Sequence, residues 1–433
     1  MRRMGDAFDA VTVFFGAAVA GVTLFLPVTF STVRDSTPYR ITNLISSVPR
    51  GAAIGVIVAV AVAVIVCTAA RPATAWLTAL LGAIAQLVNH IAGEQVSSAG
   101  MLTTQNYIDS VCAGVVLGAL GAAVLRRALP AAGLALGGVG FFVFSDLSDL
   151  LHIDLDPYAV LETPPRWLIA LMLVLLVFST MRNWSATVDQ PPRMAIELPI
   201  APILAAMVLA LVILAVTEWL TKQFSNAPAI DHAVDIGLAA AATVAAATVA
   251  AMLLPGRDGA AVYLAVALTA AADAFGYVPR PGWSVWGMIA LTAIGILAGV
   301  RMPSMTLAVT LIAGIAGFAV LTPPDANWLL FTASSAVLAL TAGYCCATAR
   351  PRYAPSGVLA LSALYLPSVV TALPDTDKAW HTPEASGYNS TPGRAALAIA
   401  LGSAVGLAVL YRLRPRGRPR ASGSTTDAAL ADI

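Results

Sequence analysis

The sequence predicts an all-α polytopic membrane protein of 14 transmembrane helices, built as two parallel six-helix repeats with a two-helix insert. Three observations carry this. Of 433 residues, 59% are hydrophobic and only 11% are charged, a composition suited to lipid rather than to water. Apolar runs of about 18 residues recur from end to end, each long enough at roughly 1.5 Å per residue to cross a hydrocarbon core of roughly 30 Å. Landmarks in the first part of the chain return in the same order in the last.

The first run, 10–33, follows "MRRMGDAFDA", and no small-residue cleavage site comes after it, so it is expected as an uncleaved span. Runs at 50–70, 73–92, 106–127, 130–151 and 166–182 complete the first six. The polar stretch "MRNWSATVDQPPR" then separates them from two further runs, 198–221 and 231–254. The second of these contains "AAAATVAAATVAA", whose small faces allow close helix approach. The last six lie at 259–277, 282–300, 303–321, 327–347, 355–373 and 394–412, and the basic "RLRPRGRPR" stops the final span. The expected organisation is a six-helix bundle over 1–182, a cytoplasmic linker over 183–197, two inserted helices over 198–254, a second bundle over 255–412, and a basic, then disordered, cytoplasmic tail over 413–433.

Charge sets the expected orientation. With the N-terminus inside, the inner segments hold 16 of the 24 basic residues, and the outer side takes 16 of the 23 acidic ones. Both termini are therefore expected in the cytoplasm, with the chain in the plasma membrane. Cys67, Cys112, Cys345 and Cys346 fall inside expected helices without metal-ligand spacing and read as small apolar residues.

The repeat rests on spacing. "VPRGAAIG" at 48 and "VPRPGWSVWG" at 278 each place an arginine 21 residues before another, Arg50 before Arg71 and Arg280 before Arg301. "WLTALLGAIA" and "LAVTLIAGIA" follow, aligning Thr78 with Thr310. "NYIDSV" and "NWLLFT" open the fourth and twelfth helices, and "AAGLAL" and "PSGVLAL" the fifth and thirteenth. "TPPRWLIAL" and "TPGRAALAI" then set Arg166 opposite Arg394. Helices one to six thus correspond to nine to fourteen in parallel.

This layout of six plus two plus six helices resembles the major facilitator superfamily, and more narrowly its fourteen-helix drug:proton antiporter branch. The loop after the second helix, "AARPATAW", keeps Arg71 where the family signature has an arginine and lacks the aspartate; its repeat counterpart is "GVRMPSM". "GLALGGVG" from Gly133 echoes the glycine-rich fifth helix, whereas the fourth helix lacks the antiporters' arginine. The resemblance implies that helices one, four, nine and twelve line a central cavity.

Charges within hydrocarbon are costly, by roughly 2.5 to 3.5 kcal/mol each on insertion scales, and therefore mark candidate sites. Asp109 and Asp273 lie on helices that the resemblance places at the cavity, and they are the expected coupling or substrate carboxylates, with Asp146 a further acid. Asn106, Tyr107, Tyr263, Asn327 and Tyr344 supply polar groups on the same helices. Arg50, Arg166, Arg280 and Arg394 begin even-numbered helices on the outer side and are expected to form an outer gate with acids such as Asp35, Glu162, Asp273 and Glu384; Arg71 and Arg301 mark the inner one. Gln86, Asn89, His90 and Glu94 share one face of the third helix, where His90 reads as a hydrogen-bonded interfacial residue.

Three function classes follow. The first is secondary active transport of small molecules across the cytoplasmic membrane by alternating access, with proton-coupled export as the specific form. The second is a non-transporting partner in cell-envelope assembly, and the third a polytopic glycosyltransferase. The chain is not expected to be an enzyme. Without a P-loop, ATP-driven transport by this chain alone is not expected. A small-molecule substrate, protons and membrane lipids are the expected partners; no cofactor, metal or nucleic acid is expected.

Overall fold

A computed structural model describes residues 2–25, 38–68, 72–93, 99–139, 164–185, 200–226, 232–275, 283–321, 328–373 and 390–415. Among them lie fourteen α-helices and no strand. The first six are α1 (Arg2–Phe25), α2 (Pro38–Thr68), α3 (Pro72–Gly93), α4 (Ala99–Val124), α5 (Ala128–Gly138) and α6 (Arg166–Asn183). The inserted pair is α7 (Ala201–Asn226) and α8 (Ala233–Leu253). The last six are α9 (Ala260–Phe275), α10 (Ser284–Arg301), α11 (Met305–Leu321), α12 (Trp328–Ala349), α13 (Ala354–Ser362) and α14 (Thr391–Leu413).

Among the described residues, eleven spans are long and apolar enough to cross a membrane, and α5, α9 and α11 are shorter apolar helices. The protein is a multi-pass membrane protein. Large apolar side chains such as Leu81, Val88, Phe178, Leu238 and Val405 are exposed, as they must be on faces turned to lipid. The alanine-rich α9 is the opposite case, buried at every position from Ala260 to Ala272.

Several helix ends depart from the expected ones. α2 begins at Pro38 and continues through Pro49, and α4 begins at Ala99. Asp109 therefore sits in the third turn of α4 rather than at its mouth. The run expected over 355–373 is broken: α13 ends at Ser362 and gives way to 3-10 turns at Ala363–Tyr365 and Val369–Ala372. Between the two turns, Leu366 is extended (φ −70°, ψ 142°) ahead of Pro367, the backbone that a following proline favours. Of the run expected over 130–151, α5 covers the part to Gly138, and 140–163 lies outside the described residues.

The two sets of six pack to one plan. α2 lies on α4, α3 on α4 and α6, and α1 on α4, α5 and α6. Each pairing recurs eight helices later, as α10 on α12, α11 on α12 and α14, and α9 on α12, α13 and α14. Glycines bring both α2–α4 and α10–α12 into backbone contact. A Cβ on Gly118 would stand 2.1 Å from the carbonyl oxygen of Ala59, and one on Gly295 would stand 2.1 Å from that of Leu340. The contact between the sets is related in the same way: α13 packs on α2 and α4, and its counterpart α5 packs on α10 and α12. The inserted helices pack on each other, α7 against α2 and α8 against α9 and α14.

Candidate functional site

The face carrying the start of α1 and the end of α14 is referred to below as the terminal face. At that end of the contact between the two sets lies a cavity of about 540 Å³ of empty space, counting its open mouth. α5 forms one wall, and α9, α12 and α13 form the others. Its half-buried rim residues, Leu125, Ala131, Ala349 and Pro351, sit at helix ends on the terminal face. Its floor lies where α13 meets the first set. There the Tyr365 hydroxyl donates to the Gly138 carbonyl at 2.6 Å, and Leu361 fills the place a Cβ on Gly138 would occupy.

Towards the opposite face, the first set buries a polar cluster. His90 Nε2 lies 2.5 Å from Asp109 Oδ2, and both side chains have no exposure. Asn89 donates to Asp109 Oδ1 at 2.7 Å and to the Gln105 carbonyl at 3.1 Å. Asn106 donates to Ser47 at 2.8 Å, and Gln86 donates to Thr23 at 2.7 Å. Asp109 thus joins α3 to α4 with its carboxylate held from both oxygens, while separate bonds tie α4 to α2 and α3 to α1. A carboxyl so enclosed needs such partners, because an unpaired charge in this interior is strongly disfavoured.

On the terminal face a second buried carboxylate appears. Asp9, with no exposure, pairs with Arg127 at 2.7 Å in the turn between α4 and α5, and with Arg182 at the end of α6. Asp6 adds a 3.2 Å contact to Arg127. The same joint in the second set uses different chemistry. Asp258, just before α9, accepts from the backbone N–H groups of Arg352 at 3.0 Å and Tyr353 at 2.9 Å, in the turn between α12 and α13. Burial pushes the Asp258 carboxyl above its ordinary range, with those two backbone bonds opposing the shift. Burial likewise raises the Tyr353 hydroxyl to about 12.

The residues singled out from sequence are therefore dispersed. Asp109, Asn106 and Tyr107 share the polar end of α4, and Arg50 lies beside Tyr107. Arg50 pairs with Glu218 of α7, at 2.6 Å, so this contact ties the first set to the insert. Asp273 sits beside Ser368, with its Oδ2 buried and unpartnered. Tyr263 faces a seam among α9, α11 and α14 that has no room for a water molecule. Tyr344 donates to the Met302 carbonyl at 2.8 Å and accepts from Ser304 N–H at 3.0 Å, tying off the turn between α10 and α11. Arg166 is half-buried at the start of α6, and Arg394 and Arg301 are exposed. Asp146, Asn327, Arg71, Arg280, Asp35, Glu94, Glu162 and Glu384 lie outside the described residues.

None of the described candidates lines the cavity. Of the helices expected there, α9 and α12 do line it, whereas α5 and α13 stand in place of α1 and α4. Sequence reasoning missed the lining because leucine, alanine and cysteine carry no chemical signal in an apolar helix. It missed Asp9 because the first span was started one residue after it; an acid one turn beyond Asp6 was the available clue.

No protein-family model matches the chain, and no curated protein matches it. Among solved structures, the chain is similar to the xylose transporter XylE from E. coli in a partially occluded inward-open conformation, at 12% identity and a TM-score of 0.46, over 96% of this chain and 98% of that one. It is also similar to the major facilitator superfamily transporter FucP in its outward conformation, at 14% identity and a TM-score of 0.40, over 94% of this chain and 98% of that one.

Proposed function

We propose that the chain is a secondary transporter that moves small molecules across the cytoplasmic membrane by rocking α1–α6 against α9–α14. The observation that carries this is the eight-helix symmetry of the contact between the two sets, α13 on α2 and α4 against α5 on α10 and α12, with the cavity on one side of it. A contact built from two equivalent halves can open at either end by exchanging the roles of those halves. The terminal face is assigned to the cytoplasm. Among the described residues it holds Arg126, Arg127, Arg182, Arg257, Arg301, Arg350, Arg352, Arg412 and Arg414, against Arg50, Arg166, Lys222 and Arg394 towards the other face. A cavity with its mouth on the cytoplasmic side is the state in which an exporter loads and an importer releases, so it is compatible with the export direction we assign.

Coupling to protons is assigned to Asp109 with His90. The pair is sealed from solvent, lies in the first set and bridges α3 and α4. A proton added to or taken from it changes the charge that the interior has to accommodate. Asp109→Asn is therefore expected to abolish flux driven by a pH gradient while leaving membrane insertion intact.

The rocking itself is tested without knowing the solute. Ala131→Cys and Ala261→Cys face each other across the cavity in a chain otherwise free of cysteine. Crosslinking them closes the mouth. Leu366→Cys lies just past the floor, at a position 2% exposed in this state. Closing the mouth is expected to make it reactive to an impermeant maleimide added from the opposite side, and reduction to reverse this. If Leu366→Cys stays unreactive in both conditions, the two sets form a rigid body and the chain fits the non-transporting partner class instead.

A further inference from the structure

We propose that the cavity between α5 and the α9, α12 and α13 cluster binds an uncharged, lipophilic small molecule. The proposal deepens the transport reading, on which it rests for the cavity being a place of passage. Every side chain lining the space belongs to leucine, alanine, glycine, proline or cysteine; charged groups, hydroxyls and amides are absent from the lining. Polar groups exist on the same turns. Thr348 and Ser356 lie beside or one turn from lining residues, yet neither contributes to the wall.

The size follows from residue choice. Ala131 and Ala135 on α5, and Ala261 and Ala265 on α9, form i, i+4 pairs on facing helices that keep the walls apart, while Leu264 and Leu361 supply broad apolar surface. A polyhydroxylated solute such as a sugar would lose its hydrogen bonds to water on entering and find no side-chain partner. A cation or anion would find no counter-charge. A compact apolar molecule exchanges water for apolar contact over most of its surface, and nothing in the wall opposes it.

Cys345 and Cys346 line the space and serve as reporters. The full chain with Cys67→Ala and Cys112→Ala, reconstituted in lipid nanodiscs, is labelled with N-ethylmaleimide. Adduct formation at 345 and 346 is followed by mass spectrometry, with the SDS-unfolded chain as the reference for complete labelling. N-phenyl-1-naphthylamine, an uncharged lipophile, is expected to slow labelling several-fold, whereas glucose leaves it unchanged. Ala265→Trp, which fills the space, is expected to remove the protection. Ala265→Ser keeps the size, adds one hydroxyl and is expected to weaken it, so a folding failure of the tryptophan variant does not decide the matter.

Protection by glucose instead of the naphthylamine overturns the ligand class. Labelling that is already slow and insensitive to the naphthylamine means that lipid tails or a sealed void occupy the space, and this also overturns it. Either result, together with a Leu366→Cys that still responds to closing the mouth, leaves alternating access standing; a silent Leu366→Cys removes the transport reading as well.

Discussion

The first and last six-helix sets share a packing plan and differ in what they bury. α1–α6 enclose Asp9, Gln86, Asn89, His90, Gln105, Asn106 and Asp109, most of them bonded to one another or to arginine. Among the described residues of α9–α14 and the turns around them, Asp258 and one oxygen of Asp273 are the buried acidic groups, and the other buried polar side chains carry hydroxyls alone. Packing in each set comes from alanine, glycine and leucine, so the polar cluster of the first set is not what makes the plan work. What the difference teaches is a division of labour. The first set holds charge and hydrogen bonds in place, while the second supplies most of the apolar wall of the cavity.

The joint on the terminal face gives the sharpest test. Asp9→Ala leaves Arg127 and Arg182 facing each other without their carboxylate. Breaking a buried pair costs about 3–5 kcal/mol, and the low end is expected here because the arginines keep solvent access. Thermal unfolding in detergent, followed by size-exclusion chromatography, should show this as the largest loss of the series. The counterpart Asp258→Ala loses two backbone hydrogen bonds and should cost less, roughly 1–3 kcal/mol. If Asp258→Ala proves the more damaging, the contrast between the two joints is reversed.

His90→Ala ranks with Asp258→Ala. It removes one of the two side chains holding Asp109 and leaves a carboxyl oxygen buried without that partner, at a cost of roughly 1–3 kcal/mol. Together with the loss of gradient-driven flux expected for Asp109→Asn, it separates holding the carboxyl in place from using its proton. A His90→Ala chain that kept its stability would mean that Asn89 alone holds the carboxyl.

The Asp258 joint also has a pH signature. Its carboxyl is raised above the ordinary range in the folded chain, so the folded state binds the proton more tightly than the unfolded one. The stability this contributes is present below the ordinary aspartate range and is lost as pH rises through the folded value. The advantage of the native chain over Asp258→Asn in thermal unfolding should therefore shrink as pH is raised across the acidic range. An advantage that grows with pH would mean that the two backbone bonds outweigh burial.

Much of the fold was legible in the sequence. Length and hydropathy mark each helix, because a span needs an unbroken apolar run, and the arginines at 50 and 280, with those 21 residues beyond, expose the repeat. The breaks were less legible. Pro49 is accommodated inside α2, whereas Pro367 follows a helix that has already ended, and a proline alone does not distinguish the two cases. The site was least legible. Asp109 was recognisable as an acid in hydrocarbon, but its bond to His90 depends on how α3 meets α4. The cavity depends on where small residues from four helices coincide, which no single helix reports.

The smallest expected effect probes the second set directly. Tyr263 is 1% exposed, its hydroxyl has no hydrogen-bond partner, and Ser403 across the same seam is likewise unpartnered. Removing a polar atom that has already lost its water without gaining a partner should be neutral or stabilising, by up to about 1 kcal/mol. Tyr263→Phe does this while preserving the ring that packs on Gly406, where a Cβ would meet it at 2.5 Å. Gln86→Leu in the first set is the matched comparison, since it strips Thr23 of a donor and should destabilise. A loss of more than about 1 kcal/mol for Tyr263→Phe would mean that the hydroxyl is bonded after all, to Thr248 on α8. The second set would then carry a polar network of its own, and the division of labour between the sets would be one of degree.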